Sequence, residues 1–286
     1  MKYKEVYLWG SEQLKKVGIG EFVLDARLLL EHICHTNRNT LLVHGDREVT
    51  EEEHLQYQEA IILRSKRIPL QHITGVQEFM GLEFQVNQQV LCPRQDTECL
   101  VEEVMRYLSD GSRILDMCTG SGCILLSLLH YSNHCSGIGV DISPEALKVA
   151  KRNGKTIGEL KRINPWEETT VQWLVSDLFS QVPKEKFDII VSNPPYIASS
   201  VIPTLMEEVR DHEPLCALDG MEDGLFFYRK IVLDSREYLK KEGMLFFEIG
   251  YDQAEAVSQM MVAAGFWNVQ VVKDFAGLDR VVYGSC

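Results

Sequence analysis

Apolar side chains in the first seventy residues recur at helical spacing. From Phe22 to Ile33 they fall at i, i+4, i+7, i+8 and i+11, which places them on one face of a helix. Thr50 and Glu53 have the spacing of a capping box, which predicts the start of a further helix running towards Pro69. Short helices of this kind form a small bundle, and we therefore predict a helical N-terminal domain over residues 1–74.

The hydrophobic pattern then changes its period. From Leu82 to Val86 apolar and polar residues alternate, as in a half-buried strand. The polar run 87–89 follows and precedes the apolar pair Val90-Leu91. A strand, a polar turn and a second apolar segment predict a β-hairpin, which we place over residues 75–91 as the link between two domains.

Beyond residue 92, apolar strand-like runs alternate with helical patterns. One helical pattern covers residues 100–108, and another starts at Pro144 with Ser143 as its N-cap. Alternation of this kind predicts an α/β domain over residues 92–286, built on a mostly parallel, doubly wound sheet. The predicted strands are residues 113–117, 136–140, 171–175, 187–191 and 243–249, with 267–272 and 280–283 as a hairpin-like pair at the end.

A turn containing two glycines follows the first of these strands and precedes a helix. Glycines allow the backbone to approach a ligand closely, and the N–H groups at a helix start are free to bind it. One strand further on, Asp141 ends an apolar run, where a carboxylate can accept both hydroxyls of a ribose. The two features predict a nucleoside-binding site at the carboxyl ends of the strands. Its candidate residues are Cys118, Thr119, Gly120, Ser121, Gly122 and Asp141.

The spacing of the glycines bears on which nucleoside would bind. A dinucleotide fingerprint requires a glycine three residues after Gly122, where this chain has Leu125. A ligand without a pyrophosphate fits better, and S-adenosylmethionine is such a ligand. The alternative is a glycine turn without any ligand, which the strand–turn–helix context and Asp141 disfavour.

Asp177 and Leu178 follow the next predicted strand. The Asp177 carboxylate could accept a hydrogen bond from an adenine amino group, with Leu178 flanking the ring. An aspartate at such a point is also a common cap of a helix or turn, and the sequence leaves both roles open.

The segment Asn193-Pro194-Pro195-Tyr196 is the most specific feature of the sequence. Its prolines fix φ at two positions in series and bias Asn193 away from the helical region. The side-chain oxygen of Asn193 and the carbonyl of Pro194 can each accept one hydrogen of a planar NH₂ group. We therefore predict that these four residues hold an amide or amino nitrogen for methylation, with Asn193 beside the cofactor and Tyr196 covering the planar group. In isolation, the same residues would more simply form a rigid turn.

Composition and charge narrow the class of protein. The 286 residues are 45% hydrophobic and 25% charged, as in a globular protein with one full domain and a smaller one. The net charge of −13 disfavours a large non-specific nucleic-acid surface. No signal-peptide pattern and no apolar stretch of membrane length is visible, and the eight cysteines form no C-x-x-C pair. We expect a cytoplasmic protein with reduced thiols, no metal site and no membrane partner.

Together these motifs resemble the class I S-adenosylmethionine methyltransferases, and specifically the release-factor glutamine methyltransferases of the HemK/PrmC type. The resemblance extends over nearly the whole chain. Besides the motifs above, it includes residues 69–75, 93–98, 213–214, 217–220, 223–224, 227–229 and 279–282.

The resemblance implies a Rossmann-like sheet of seven strands, a helical N-terminal domain and a hairpin linker. It implies S-adenosylmethionine as cofactor and class I peptide-chain release factors as partners, methylated on the glutamine of their Gly-Gly-Gln motif. By position, residues 118–122, Asp141 and Asp177 or Leu178 would bind the cofactor, and Asn193–Tyr196 would hold the substrate glutamine. Further residues implied to line the site are Arg94, Thr97 and Glu98.

Two residues depart from the pattern of that family. Cys118 and Met221 stand where glycines are usual. We expect the backbone at Cys118 not to need a positive φ, and Met221 leaves the conformation of its turn open.

Two other functions compete with this interpretation. Asn-Pro-Pro-Tyr also suits nucleic-acid methyltransferases that act on exocyclic base amines, which often extract the base from its stack. The acidic total charge and the absence of a lysine-rich face on the helical domain favour a protein substrate, so we expect no direct nucleic-acid substrate. A module that docks onto a translation factor without chemistry is the second alternative, and the presence of both Asn193 and the glycine turn disfavours it.

Overall fold

The computed structural model describes residues 1–161, 166–167 and 170–286. The chain divides into two compact units. The first comprises Met1–Val76 together with Met206–His212, and the second comprises Gln77–Leu205 together with Glu213–Cys286. No pattern in the sequence indicated that the short segment 206–212 would fold with the N-terminal helices.

Helices and strands follow the order that the sequence predicts. The helices are α1 (Tyr3–Lys16), α2 (Phe22–Ile33), α3 (Arg38–Val43), α4 (Glu51–Ser65), α5 (Leu70–Thr74), α6 (Gln95–Met105), α7 (Cys123–Tyr131), α8 (Pro144–Leu160), α9 (Glu207–Arg210), α10 (Leu215–Leu218), α11 (Phe226–Ser235) and α12 (Ala254–Ala263). The strands are β1 (Val76–Phe79), β2 (Leu82–Gln85), β3 (Arg113–Met117), β4 (Ser136–Asp141), β5 (Val171–Val175), β6 (Phe187–Ser192), β7 (Leu239–Glu248), β8 (Trp267–Lys273) and β9 (Asp279–Ser285). Single 3₁₀ turns lie at Leu178–Gln181 and Ile202–Thr204.

The first unit is helical, as predicted for the N-terminal region. Thr50 and Glu53 form the predicted capping box at the start of α4, where each side chain accepts a hydrogen bond from the backbone of the other, at 3.2 and 2.8 Å. The predicted apolar face of α2 supplies Ala26, Leu29 and Leu30 to the core of this unit, all fully buried.

A buried ion-pair network attaches α9 to this bundle. The Arg64 guanidinium on α4 donates to Asp25 of α2 at 2.7 Å and to Glu208 of α9 at 3.3 Å. Arg67 donates to the same Glu208 carboxylate at 3.4 Å. Because a charge taken out of water must be paired, this network fixes the position of the 206–212 segment on the helices.

The second unit is built on the predicted mostly parallel sheet of seven strands. Its strand order is β5-β4-β3-β6-β7-β9-β8. The first five strands pair in parallel, and the last two, β9 and β8, are antiparallel, which confirms the predicted pair at the end of the chain. Ser143 caps α8 as predicted, because its Oγ accepts from the Ala146 N–H at 3.1 Å. The doubly wound α/β fold is confirmed.

Apolar side chains cover both faces of this sheet. One layer is formed with α11 and α12, through buried residues such as Tyr228 and Val257. The other is formed with α6 and α7, through residues such as Leu100, Val104 and Leu125. All eight cysteines lie in the described part of the chain and form no disulfide. Among the described residues, no helix has both the length and the apolar character that a bilayer crossing requires.

The predicted β-hairpin is present, but its turn lies at residues 80–81 and not at the predicted residues 87–89. Strands β1 and β2 are joined by Met80 and Gly81, which have φ values of +52° and +69°. Positive φ at both central residues is the geometry of a two-residue type I′ turn. The alternating segment at Leu82 is therefore the second arm of the hairpin, and the polar run 87–89 lies beyond it in a loop.

Candidate active site

A cavity of about 550 Å³ lies in the second unit, where β3, β4, β5 and β6 end. Its volume falls within the roughly 300–1,000 Å³ that is typical of small-molecule sites. The lining includes these sequence-predicted residues: Cys118, Thr119, Gly120, Ser121, Asp141, Asp177, Leu178, Asn193 and Pro195. Gly122, Pro194 and Tyr196 are not among the lining residues. Of the three further residues implied by resemblance, Arg94 and Thr97 line the cavity, whereas Glu98 accepts a hydrogen bond from the Met80 amide at the hairpin turn.

Hydrogen bonds from neighbouring strands hold the glycine turn. The Thr119 N–H donates to the Val140 carbonyl at 2.9 Å, and its hydroxyl donates to Asp116 at 2.5 Å. Gly122 has a φ of +80°, and a Cβ there would lie 2.8 Å from the Trp173 ring. Glycine is therefore required at this position by packing and backbone geometry.

Asp116 does not line the cavity but supports it through Thr119, and its role was not predicted from the sequence. Its side chain is fully buried, and burial raises the pKa of Asp116 to about 7, while the hydrogen bond from Thr119 opposes the rise. The sequence did contain an indication of this role, because Asp116 stands between the apolar residues Leu115 and Met117 of a strand. A carboxylate is buried only where a partner or a function compensates for the cost.

Asp141 joins the glycine turn to the start of α8. One carboxylate oxygen accepts from the Gly120 N–H and the other from the Ser143 N–H, each at 2.9 Å. Burial raises the pKa of Asp141, and these backbone hydrogen bonds oppose the rise. A carboxylate has about four lone-pair sites, so each oxygen can still accept a ligand hydroxyl.

Asp177 and Leu178 lie where β5 leads into a 3₁₀ turn. Asp177 is exposed and makes no capping hydrogen bond to that turn, which leaves the capping alternative without support. Leu178 is buried with a φ of +48°, and its carbonyl accepts from the Ser176 hydroxyl at 2.7 Å. Positive φ at a leucine is rare, and this hydrogen bond helps to hold it.

The Asn193 side chain reaches the cavity from the end of β6. Its Nδ2 donates to the Thr97 hydroxyl oxygen at 3.4 Å. Within the described part of the chain, no group donates to Asn193 Oδ1 or to the Pro194 carbonyl. Two acceptors are therefore left on this segment.

Residues much later in the sequence hold the Asn193–Tyr196 segment in place through hydrogen bonds. The Gln253 amide donates to the Tyr196 carbonyl at 3.0 Å and to the Gly224 carbonyl at 3.3 Å. A Cβ on Gly224 would lie 2.3 Å from the Tyr196 carbonyl oxygen, so only glycine fits there. The Tyr196 hydroxyl donates to the Glu248 carboxylate at 3.3 Å. Neither Gln253 nor Glu248 was predicted from the sequence to support the site. Glu248 follows an apolar run, and a carboxylate at the end of such a strand could have indicated this role.

Comparison with known proteins shows the family of this chain. Residues 5–75 match the PrmC N-terminal domain, and residues 95–209 match the Methyltransferase small domain. The release factor glutamine methyltransferase of Clostridium acetobutylicum is 40% identical over 286 residues, covering 99% of this chain and 98% of that protein. The chain belongs to the release factor glutamine methyltransferase family. The protein of the same name from Clostridium botulinum is 41% identical over 286 residues, with the same coverage of 99% and 98%.

A solved structure supports the fold of this methyltransferase independently. A methyltransferase from Pyrococcus furiosus is 14% identical and covers 80% of this chain and 96% of its own, with a TM-score of 0.53. At that identity the likeness shows the fold alone.

Both departures from the family pattern occupy the left-handed backbone region. Cys118 has a φ of +63° and Met221 a φ of +70°. The expectation that Cys118 would not need a positive φ is therefore wrong. Each turn keeps the backbone geometry that suits glycine although another residue occupies the position. Placing a non-glycine residue in the left-handed region costs roughly 1–2 kcal/mol of conformational free energy.

Met221→Gly is expected to raise the free energy of unfolding by about 1 kcal/mol, because it removes this backbone strain. Met221 is partly exposed, so little packing is lost, whereas Cys118 packs against the core and would lose contacts. Urea denaturation of the full chain measures the change. Met206→Gly is the matched control, since Met206 is exposed with a φ of −56° and should lose stability. A Met221→Gly variant no more stable than the parent would contradict the strain argument.

Asn153 is a buried residue that holds the glycine turn at the cavity. From α8 its amide donates to the Ser121 carbonyl at 2.9 Å and to the Gln85 carbonyl at 3.1 Å, and it accepts from the Gln85 N–H at 2.8 Å. One side chain thus connects the glycine turn, α8 and the hairpin.

Asn153→Asp is expected to lower the free energy of unfolding by about 2–4 kcal/mol, since an acid of the same shape leaves two carbonyls without donors. Weaker binding of S-adenosylmethionine should accompany the loss, because Ser121 lines the cavity. Denaturation and calorimetric titration check the two effects. Lys155→Ala, on the exposed face of the same helix, should change neither.

Proposed function

We propose that this methyltransferase transfers a methyl group from S-adenosylmethionine to the side-chain amide nitrogen of the glutamine in the Gly-Gly-Gln motif of class I peptide-chain release factors. The observation that carries the proposal is the arrangement of Asn193. Its Nδ2 is engaged by Thr97, while its Oδ1 and the Pro194 carbonyl have no donor among the described residues. Two acceptors match the two hydrogens of an amide NH₂.

The cavity fits the proposed cofactor. Asp141, at the end of β4, would accept the ribose hydroxyls, and Leu178 and Asp177 would contact the adenine. The turn at 118–121 lines the same cavity and would lie against the remainder of the molecule. When bound, S-adenosylmethionine supplies an electrophilic methyl carbon on a positively charged sulfur.

The protein's part in the reaction is to select and aim a weak nucleophile. An amide nitrogen reacts poorly because its lone pair is delocalised into the carbonyl. Asn193 Oδ1 and the Pro194 carbonyl would fix the NH₂ group through its hydrogens and leave one face of the nitrogen towards the methyl carbon. Such positioning can contribute roughly 7–11 kcal/mol of the barrier. As the N–C bond would form, the S–CH₃ bond would break with S-adenosylhomocysteine as the leaving group, and one proton of the nitrogen would pass to water, so no strong base is needed beforehand.

The two parts of the chain would have separate roles in substrate recognition and catalysis. We place substrate recognition in residues 1–74, a linker in residues 75–91 and catalysis in residues 92–286, and the match of residues 5–75 to the PrmC N-terminal domain supports a separate role for the first part. A release factor as partner would place the reaction in the cytoplasm.

The test is incubation with a purified release factor and methyl-labelled S-adenosylmethionine, followed by peptide mass mapping. Label on the glutamine of the Gly-Gly-Gln peptide is the expected result. Label on a nucleic acid and none on the release factor would favour methylation of an exocyclic base amine. Binding of the release factor without any transfer would favour a docking module.

A further inference from the structure

The loop that joins β8 to β9, residues 274–278, exposes an aromatic side chain that the proposed chemistry does not use. Phe275 is 95% exposed, more than any other large apolar residue in the described ranges, and Leu278 in the same loop is also exposed. A single exposed apolar residue needs no explanation by itself. The order of this loop and its place on the sheet are two further observations that indicate a role for Phe275.

Hydrogen bonds to one aspartate order the β8–β9 loop. The Asp274 carboxylate accepts from the N–H groups of Ala276 and Leu278 at 2.9 and 3.0 Å, and from the Arg280 guanidinium at 2.9 Å. The Asp274 N–H donates to the Leu278 carbonyl at 2.8 Å and so closes the loop. Phe275 therefore lies exposed on an ordered loop, and a preorganised loop loses less conformational entropy when it binds a partner.

The sheet topology brings this loop to the edge that carries the active site. Because β9 runs antiparallel to β7, it starts where β6 and β7 end. Ser192 at the end of β6 pairs with Phe247, and the next residue of β7, Glu248, pairs with Val281 on β9. The start of β9 is therefore two strand spacings, about 10 Å, from the start of the Asn193–Tyr196 segment.

Side-chain contacts also connect the loop to the wall of the cavity. Arg280, which holds Asp274, donates to the Ile249 carbonyl at 3.4 Å just after β7. The same guanidinium pairs at 3.3 Å with Asp96 in the first turn of α6. The next residue of α6, Thr97, lines the cavity. The β8–β9 loop thus lies beside the elements that surround Asn193.

A protein substrate would cover this part of the surface. A specific interface buries about 800 Å² on each partner, which corresponds to a disc of roughly 16 Å radius. Centred on Asn193, a disc of that size includes the start of β9 and the loop before it. Phenylalanine is among the residues enriched in such interfaces.

The charge beside Phe275 indicates the chemistry of the partner. The nearly buried Arg280 guanidinium is shared by two carboxylates, those of Asp274 and Asp96. One negative charge is therefore in excess, and the Asp96 side chain is 58% exposed. A surface that combines an exposed aromatic ring with a carboxylate is complementary to an apolar side chain next to a basic one.

We propose that the β8–β9 loop is a docking site for the protein substrate, in which Phe275 packs against an apolar side chain next to a basic residue in the segment that flanks the methylated glutamine. The inference rests on the proposed function, because it concerns the surface around the same site.

The main test is steady-state kinetics of Phe275→Ala with a purified release factor. We expect kcat/KM for the release factor to fall by about 10-fold or more, as for an aromatic residue at the centre of an interface. The kcat at saturating release factor and the dissociation constant for S-adenosylmethionine should not change, because Phe275 does not line the cavity. Leu233→Ala is the matched control, since Leu233 on α11 is 75% exposed, and it should keep the parent kcat/KM.

Two further variants separate the apolar contact from the charge. Phe275→Leu keeps an apolar side chain and should lose less of kcat/KM than Phe275→Ala. Asp96→Asn should raise KM by about 2- to 5-fold at low salt, the range of an exposed ion pair, and this difference from the parent should disappear at high salt.

Photo-crosslinking gives a readout that does not depend on turnover. With p-benzoylphenylalanine placed at position 275 of the full-length enzyme, irradiation with the release factor should attach the segment next to the Gly-Gly-Gln motif. The same group at position 233 should attach none of it. Peptide mass mapping identifies the attached segment, and a crosslink elsewhere on the release factor, or none, would overturn the proposal.

The outcomes distinguish this inference from the proposed function. Parent-like kcat/KM in Phe275→Ala, with the release factor methylated, would overturn the docking role and leave the proposed function intact. A parent enzyme that methylates no release factor would overturn both. If the parent sediments as a dimer and Phe275→Ala as a monomer, the loop belongs to a contact with a second copy of this chain, which would also overturn the proposal.

Discussion

Asn193→Ala is expected to lower kcat for release-factor methylation by about 10²–10³-fold, the loss typical of removing one fixed hydrogen-bonding group from a transition state. The variant removes the acceptor that faces the cavity and leaves the Pro194 carbonyl as the sole acceptor for the substrate nitrogen. The dissociation constant for S-adenosylmethionine should change little, because the glycine turn and Asp141 remain. Steady-state kinetics and calorimetric titration on the same preparation separate the two quantities.

An amide elsewhere on the surface provides the control for this variant. Gln259 lies on the exposed face of α12, where its amide donates to Glu255, and Gln259→Ala should keep the parent kcat. Parent-like turnover of Asn193→Ala would remove Asn193 from the chemistry. A loss of cofactor affinity as large as the loss of kcat would instead assign it to cofactor binding.

Asp141→Ala is expected to weaken S-adenosylmethionine binding by about 100-fold or more, since hydrogen bonds to a charged group contribute about 1.5–3 kcal/mol each. The carboxylate accepts from Gly120 and Ser143 and would also accept the ribose hydroxyls. Its removal therefore acts twice, by freeing the glycine turn and by deleting ligand contacts. Calorimetric titration measures the affinity, and a thermal melt shows that the variant is folded.

Asp177 provides a comparison with the same side chain. It lines the cavity but is exposed and makes no capping hydrogen bond, so Asp177→Ala should weaken binding far less than Asp141→Ala. Equal losses in the two variants would contradict the assignment of the ribose to Asp141. Unchanged affinity in both would place the cofactor elsewhere.

The fold was largely predictable because its signals are local. Buried parallel strands are continuous apolar runs, and the helices between them carry their own caps, such as Ser143 on α8. The hairpin turn was missed for an equally local reason. Met80-Gly81 lacks the usual Asn-Gly or Asp-Gly signature. The polar run 87–89 does form a turn, closed by a hydrogen bond from the Val90 N–H to the Asn87 carbonyl at 3.2 Å, but this turn does not connect the two strands.

The residues that support the site were harder to find, because they act across large sequence separations. Asn193 and Asp141 stood out as motif positions at the ends of strands. Asn153 lies within α8 and Gln253 immediately before α12, neither of them in a recognisable motif, and only the folded chain brings them to the Ser121 and Tyr196 carbonyls. Likewise, the positive φ of Cys118 follows from the turn around it and not from the residue itself.

The central claim is that one asparagine and one proline carbonyl grip both hydrogens of the substrate nitrogen. A crystal structure of the enzyme with S-adenosylhomocysteine and a peptide containing Gly-Gly-Gln tests it most directly. The account predicts the glutamine side-chain nitrogen within hydrogen-bond distance of Asn193 Oδ1 and of the Pro194 carbonyl oxygen, with its open face towards the sulfur. A glutamine amide bound elsewhere, or an Asn193 side chain turned away from the sulfur, would contradict it.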